Sequence, residues 1–264
     1  GDGKYLRMCK YSCFKNSKIQ SFIVACIFWY HRKRRSFYDQ IDHYICLNEN
    51  QIKLLKNIGF DENKITKKYN FVPDAEANLK AMKLENLPDR YVVFYGRIGE
   101  EKGIRILMDI WNQIMDIPLV VMGGGPLEEE FKAWSDQHSN VYFLGYTQHD
   151  RCLSIVKGGE FVVFPSIWYE GCSMVEIEAE SLGKGLIATN LGFSSEAIEN
   201  ARNGYKVKLG DSRAFVDQIR RLWNNEAECK KIGENARLDY EQKYTPEDNY
   251  QQLIAIYKSM GADV

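Results

Sequence analysis

A chain of 264 residues, 45% hydrophobic and 27% charged, is long enough to bury one large core or two modest ones. Its net charge of -1 argues against nucleic acid as the main partner. The charge is uneven: residues 1–73 hold 14 Lys and Arg against 6 Asp and Glu, the remainder 21 against 30, which points to an anionic surface or substrate near the front.

The opening Gly1-Asp2-Gly3 is polar and does not read as a secretory leader. Ser17 to Tyr38 carries a long helical pattern, apolar from Phe22 to Tyr30 and basic from His31 to Arg35. The apolar run falls far short of the ~20 residues of a bilayer span. Two readings of this helix stay open. It is an interfacial helix whose basic end grips anionic lipid on the inner face of a membrane, or a core helix with a solvated basic end. The second is slightly favoured, because the apolar stretch has a sheet of its own half-domain to cover. A strand at Tyr44–Leu47, a helix at Glu49–Ile58 and a strand around Ile65–Phe71 follow. These are too few to close a doubly wound sheet. Pro73 to Pro88, with Asp74, Glu76 and Asn78, reads as a linker.

From residue 91 short apolar runs alternate with amphipathic segments. The runs are Tyr91–Tyr95, Leu119–Met122, Val141–Leu144, Phe161–Phe164, Leu186–Thr189 and Tyr205–Val207. Runs rich in β-branched and aromatic residues, without polar alternation, predict strands buried on both faces. Ile104, Leu107, Ile110, Trp111 and Ile114 recur at helical spacing between the first two. Strand, helix, strand at this interval predicts a Rossmann-like α/β domain with a parallel sheet. The tail Pro246–Met260 reads as an amphipathic helix with Tyr250, Leu253, Ile254 and Tyr257 on one face.

The seven cysteines, at 9, 13, 26, 46, 152, 172 and 229, form an odd set without repeated spacing. They read as thiols of a reduced cytoplasm rather than a disulfide or zinc framework. No histidine pair has metal spacing, so each histidine reads as structural or exposed. No nucleophile elbow accompanies a serine. Gly123-Gly124-Gly125-Pro126 lacks the third glycine of a dinucleotide loop, and Pro126 suits the first turn of a helix.

Two clusters stand just after predicted strands, where parallel α/β sheets bind ligands. In Gly96-Arg97-Ile98-Gly99-Glu100-Glu101-Lys102-Gly103, two cations flank the start of a helix whose free N–H groups favour anions. An arginine fork and a lysine point charge suit a diphosphate; a solvated basic loop is the alternative. The second cluster runs from Pro165 to Ala179. Gly171 and Ser173 let backbone N–H groups approach a ligand closely. Glu170 in the turn and Glu178 on the helix can each accept hydrogen bonds from vicinal hydroxyls of a sugar.

With these residues in view, the chain resembles the retaining glycosyltransferases of family 4. The similarity rests on Gly96-Arg97 to Glu101-Lys102-Gly103, Gly123 to Pro126, Phe143 to Tyr146, Glu170 and Glu178 with seven residues between them, Ala188 to Gly192 and the closing aromatic helix. Cys13 to Ser17, the basic helix end and Lys64 to Val72 fit the later part of that family's acceptor domain. The resemblance implies a GT-B fold with a complete C-terminal Rossmann-like donor domain at 74–245. A partial N-terminal acceptor-side domain would occupy 1–73, and a helix at 246–264 would pack back towards it. Roughly the first hundred residues of the family pattern would be absent, so the chain is expected to bind nucleotide but transfer nothing.

The implied reaction moves a sugar from a nucleoside-diphosphate sugar, foremost a UDP-sugar, to a polysaccharide or lipid-linked glycan, with retention and with neither cofactor nor metal. Arg97 and Lys102 would hold the diphosphate, beside Gly96. Glu170 would face the donor sugar and Glu178 the ribose. Gly171, Cys172 and Ser173 would line the sugar and phosphate site, and Thr147 and Met174 the nucleoside. Cys172 stands where an aromatic is common in the family, and Glu180 where a small apolar residue is usual, so both bear on donor choice. A non-catalytic sugar-nucleotide-binding module is the alternative, and behind it a Rossmann oxidoreductase.

Overall fold

The computed structural model describes residues 5–75, 79 and 87–263. Gly1-Asp2-Gly3 and, within the expected linker, Glu76 and Asn78 lie outside the described residues. The chain divides into two compact units, one of residues 1–68 with 254–264 and the other of residues 69–253.

The smaller unit holds helices α1 (Leu6–Lys10), α2 (Lys18–Lys33) and α3 (Ser36–Asp39), strand β1 (Tyr44–Cys46), helix α4 (Glu49–Asn57) and strand β2 (Ile65–Lys67). β1 and β2 pair in parallel, Tyr44 against Ile65 and Cys46 against Lys67. The single helix expected over Ser17–Tyr38 is broken. α2 ends at Lys33, and Arg35 takes the left-handed conformation with φ 53° before α3 begins. His31, Arg32 and Lys33 fill its last turn, where cations complement the helix dipole.

The favoured reading of the apolar stretch is also corrected. Of α2 only Ser21 and Ala25 are buried, while Phe22, Ile23, Ile27, Phe28, Trp29 and Tyr30 stay 44–55% exposed. A helix of 16 residues is about 24 Å long, whereas strands of three residues extend only about 10 Å. The two-stranded sheet is too small to be covered by it.

The larger unit is a single sheet wound with helices. Its strands are β3 (Val92–Tyr95), β4 (Leu119–Met122), β5 (Val141–Phe143), β6 (Val162–Phe164), β7 (Leu186–Thr189) and β8 (Gly204–Val207). All pairings are parallel, in the order β5-β4-β3-β6-β7-β8. Between and after them run α5 (Ile104–Trp111), α6 (Glu128–Ser135), α7 (His149–Gly158), α8 (Met174–Ser181), α9 (Ser194–Ala197), α10 (Ser212–Trp223) and α11 (Glu226–Lys243). Strand order reverses between β3 and β6, and a doubly wound sheet opens its ligand crevice at that point.

Side chains alternate between two cores. Val92, Phe94, Leu119 and Val121 meet α5 and α10 through Leu107, Ile110, Trp111, Phe215 and Ile219. Val93, Tyr95, Val120 and Met122 meet Leu153, Val156, Ala179 and Leu182 of α7, α8 and the turn after it. These strands are buried along their whole length, as their unbroken apolar runs require.

β2 stops at Lys67, short of the expected Phe71. Tyr69 instead packs its ring on Phe193 and Tyr244, with centroids 5.8 and 5.2 Å apart. The Val72 N–H donates to Tyr244 O. A last helix, α12 (Pro246–Ser259), follows α11. Its buried residues are Asn249 and Ile256, whereas Tyr250 and Tyr257 are 58% and 43% exposed. Asn249 turns inward because its Nδ2 donates to the Tyr69 carbonyl at 2.7 Å.

Candidate active site

Both sequence clusters end up beside the crevice between β3 and β6. After β3 the chain passes Gly96 and Arg97, makes one 3-10 turn at Glu100–Lys102, and enters α5 at Ile104. Lys102 therefore sits on the turn ahead of the helix. Gly103 joins the two, with φ +74°, and a Cβ there would lie 1.9 Å from the Pro165 carbonyl oxygen. No residue but glycine fits that approach of the β3 and β6 loops.

The loop after β6 is pinned across the crevice. Ser166 Oγ and the Ile167 N–H both donate to Glu101 O at 3.0 Å. Ser173 caps α8, its side chain accepting from the Glu176 N–H at 3.4 Å. The Phe193 N–H donates to Glu170 O at 3.0 Å, so the segment after β7 braces the same turn.

The structure brings Lys102 and Glu170 together. Lys102 Nζ donates to Glu170 Oε1 at 2.5 Å, with the side chains 21% and 17% exposed. The ammonium also lies over the Phe164 ring, 5.5 Å from its centroid. Arg97 is not part of that pair. It is 63% exposed and reaches Glu101 at 3.5 Å.

A cavity of about 380 Å³ opens beside β3, lined by Tyr95, Gly96, Arg97, Met122, Gly123, Thr147, His149 and others. Glu178 is 13% exposed and lies 3.6 Å from His149 Nε2. Burial holds its carboxyl above the ordinary range, and His149 and the Tyr95 hydroxyl draw it part of the way back down. Gly171 is half-buried in the turn, and Met174 is 42% exposed. Cys172 is buried to 8%, its carbonyl accepts from Asn70 Nδ2 at 3.4 Å, and burial pushes its thiol up to about 12.

Sequence reasoning passed over His149, Tyr95 and Glu176. His149 opens α7 at the end of a strand-loop segment, a positional signal that a search for metal spacing ignores. Glu176 is fully buried and accepts from Ser194 Oγ at 2.8 Å, and burial raises its carboxyl to about 8. Glu180 is as deeply buried and is raised well above the ordinary range, first by burial and then by Asp239. Among the described residues, no group of three or more His, Cys, Asp or Glu is placed to hold a metal.

The chain is 29% identical over 180 residues to O-antigen chain mannosyltransferase C of Escherichia coli, covering 67% of this chain and 48% of the relative. It is 28% identical over 208 residues to the capsular polysaccharide biosynthesis glycosyltransferase CapM of Staphylococcus aureus, covering 75% and 50%. The chain thus spans about half the length of these curated relatives. Among solved structures, Anabaena HepE in complex with UDP superposes with a TM-score of 0.72 at 20% identity, over 83% of this chain and 64% of that one. The sucrose-phosphate synthase of Thermosynechococcus elongatus gives 0.74 at 22% identity, over 98% and 67%. These likenesses show the α/β fold of the GT-B glycosyltransferases. A family profile for glycosyl transferases group 1 matches residues 76–239. The chain belongs to the group 1 glycosyl transferase family.

Proposed function

We propose that this chain carries the donor site of a retaining glycosyltransferase that takes its sugar from a nucleoside-diphosphate sugar, foremost a UDP-sugar, and adds it to a glycan. The Lys102–Glu170 pair at the switch point of the sheet carries this reading. A lysine point charge and the exposed Arg97 guanidinium stand where a diphosphate would enter. Their charge would stabilise the diphosphate as it departs. Glu170 would face the anomeric carbon, where positive charge builds during transfer. Glu178, on α8 beside His149, suits the two hydroxyls of a ribose, and the 380 Å³ cavity has room for the nucleoside.

The acceptor as a polysaccharide or lipid-linked glycan follows the relatives' activities in O-antigen and capsule synthesis. The exposed apolar residues of α2, next to the basic run at Arg32–Arg35, support binding to an anionic membrane surface. Thermal melts with UDP-, GDP- and ADP-sugars against NAD and NADP test the donor reading, because a ligand that binds the native state raises the midpoint. A rise with at least one nucleotide sugar is expected. A rise with the dinucleotides alone would overturn it.

A further inference from the structure

Glu176 is buried within the larger unit, and the catalytic reading leaves it unused. It is 1% exposed, and among the described residues its Oε2 has no hydrogen-bond partner. Such burial costs least when the group is a neutral acid. Its Oε1 accepts from the Ser194 hydroxyl, which opens α9, and the Phe193 N–H just before it donates to Glu170 O. Its own N–H donates to the Ser173 cap. Through these two bonds it touches both supports of the turn that presents Glu170.

We propose that Glu176 is a positioning residue, a neutral acid beneath the Glu170–Ser173 turn that holds this turn in its binding geometry and releases it on ionising. The proposal rests on the donor reading above. The charged and titratable groups facing Glu176 are Glu170 and Lys102, Tyr95 of β3, Cys172 in the turn and, on its own helix, Glu180. From α11, Asp239 stands against Glu180. Lys102 is the one cation of this set, and its ammonium is already bound to Glu170. A second negative charge here would compete with a diphosphate for the Lys102 ammonium and push the turn that carries Glu170 outward from below. Burial places the ionisation at about 8, above the ordinary carboxyl range. The neutral fraction then falls from ~0.9 at pH 7 to ~0.1 at pH 9. If only the neutral form binds, apparent affinity falls roughly tenfold across that interval.

Two measurements on the 264-residue chain test this. Hydrogen exchange of residues 169–177, corrected for the intrinsic rate at each pH, reads the turn without any ligand. Protection should drop between pH 7 and 9 in the wild type and stay level in Glu176→Gln, which keeps the shape and donor of the neutral acid. Ser194→Ala removes a bond that favours the charged form, so its drop should move to higher pH. UDP titrations should show the roughly tenfold loss in the wild type and none in Glu176→Gln. Identical exchange profiles for the wild type and Glu176→Gln would overturn the positioning role. A pH-dependent turn in a chain that binds no UDP at pH 7 would uphold that role and overturn the UDP reading instead.

Discussion

Because Lys102 is bound to Glu170, a diphosphate entering this site would have to compete with a carboxylate for the ammonium. Two unit charges about 3 Å apart attract by about 5 kcal/mol at an effective dielectric near 20. Desolvation and the residual one-fifth exposure of both side chains offset most of this, leaving about 1–2 kcal/mol net. Glu170→Gln removes the competitor and keeps the shape of the turn. UDP should therefore bind Glu170→Gln more tightly than the wild type, by up to the net strength of the pair, about five- to thirty-fold. Lys102→Met should weaken UDP by about 1.5–3 kcal/mol, the range for hydrogen bonds to a charged group. Isothermal calorimetry of the two variants at one ionic strength measures both. Weaker UDP binding by Glu170→Gln would refute the competition, because it would mean that the carboxylate orients the lysine for the diphosphate.

Four further outcomes are expected. In steady-state transfer assays, Glu170→Gln should lower kcat on the order of 10²-fold, whereas Glu178→Gln should act chiefly on donor KM. Gly103→Ala forces a side chain into a left-handed backbone 1.9 Å from Pro165 O, so its urea midpoint should report a loss of at least about 2 kcal/mol. Glu180 is neutral when folded and ionises readily when unfolded, so its stabilising proton is lost from the unfolded chain first. Wild-type stability should fall as pH rises above the ordinary carboxyl range, and Glu180→Gln should flatten that slope in denaturant melts at pH 5 to 8. The protein should co-sediment with anionic vesicles and release as salt rises, each basic residue at the surface contributing about 1 kcal/mol; equal binding to neutral vesicles would leave Arg32–Arg35 as a solvated helix end.

The donor half was legible because its signals are local. Unbroken runs such as Val92–Tyr95 and Leu119–Met122 can only be strands covered on both sides. Glycine turns directly after such strands mark the crevice. The pairing of Lys102 with Glu170 is a contact across 68 positions, which spacing cannot reveal. The same holds for His149 beside Glu178, since nothing in residues 141–149 says which strand the loop faces. The burial of Glu176 and Glu180 is not legible in the sequence, because hydrophobic patterning assumes that carboxylates seek water. They are buried because α8 is enclosed on several sides, by α7, by α11 and by the segment after β7. In the smaller unit the failure was of a different kind: the 22–30 run was assigned a sheet to cover, and the described residues supply too little sheet.

The contact of Gly103 with Pro165 also bears on how this site can diversify. Surface loops ordinarily absorb insertions and deletions at little cost. Here the loop at 96–103 meets the one at 165–173 backbone to backbone, with no room for a methyl group. A residue gained or lost between Gly96 and Gly103 would shift that glycine off the carbonyl and put a Cβ in its place. Variation in this loop is confined to side chains at fixed length, so on the proposed donor reading a change of sugar or base would come by substitution, at positions such as Arg97, Thr147 or Met174.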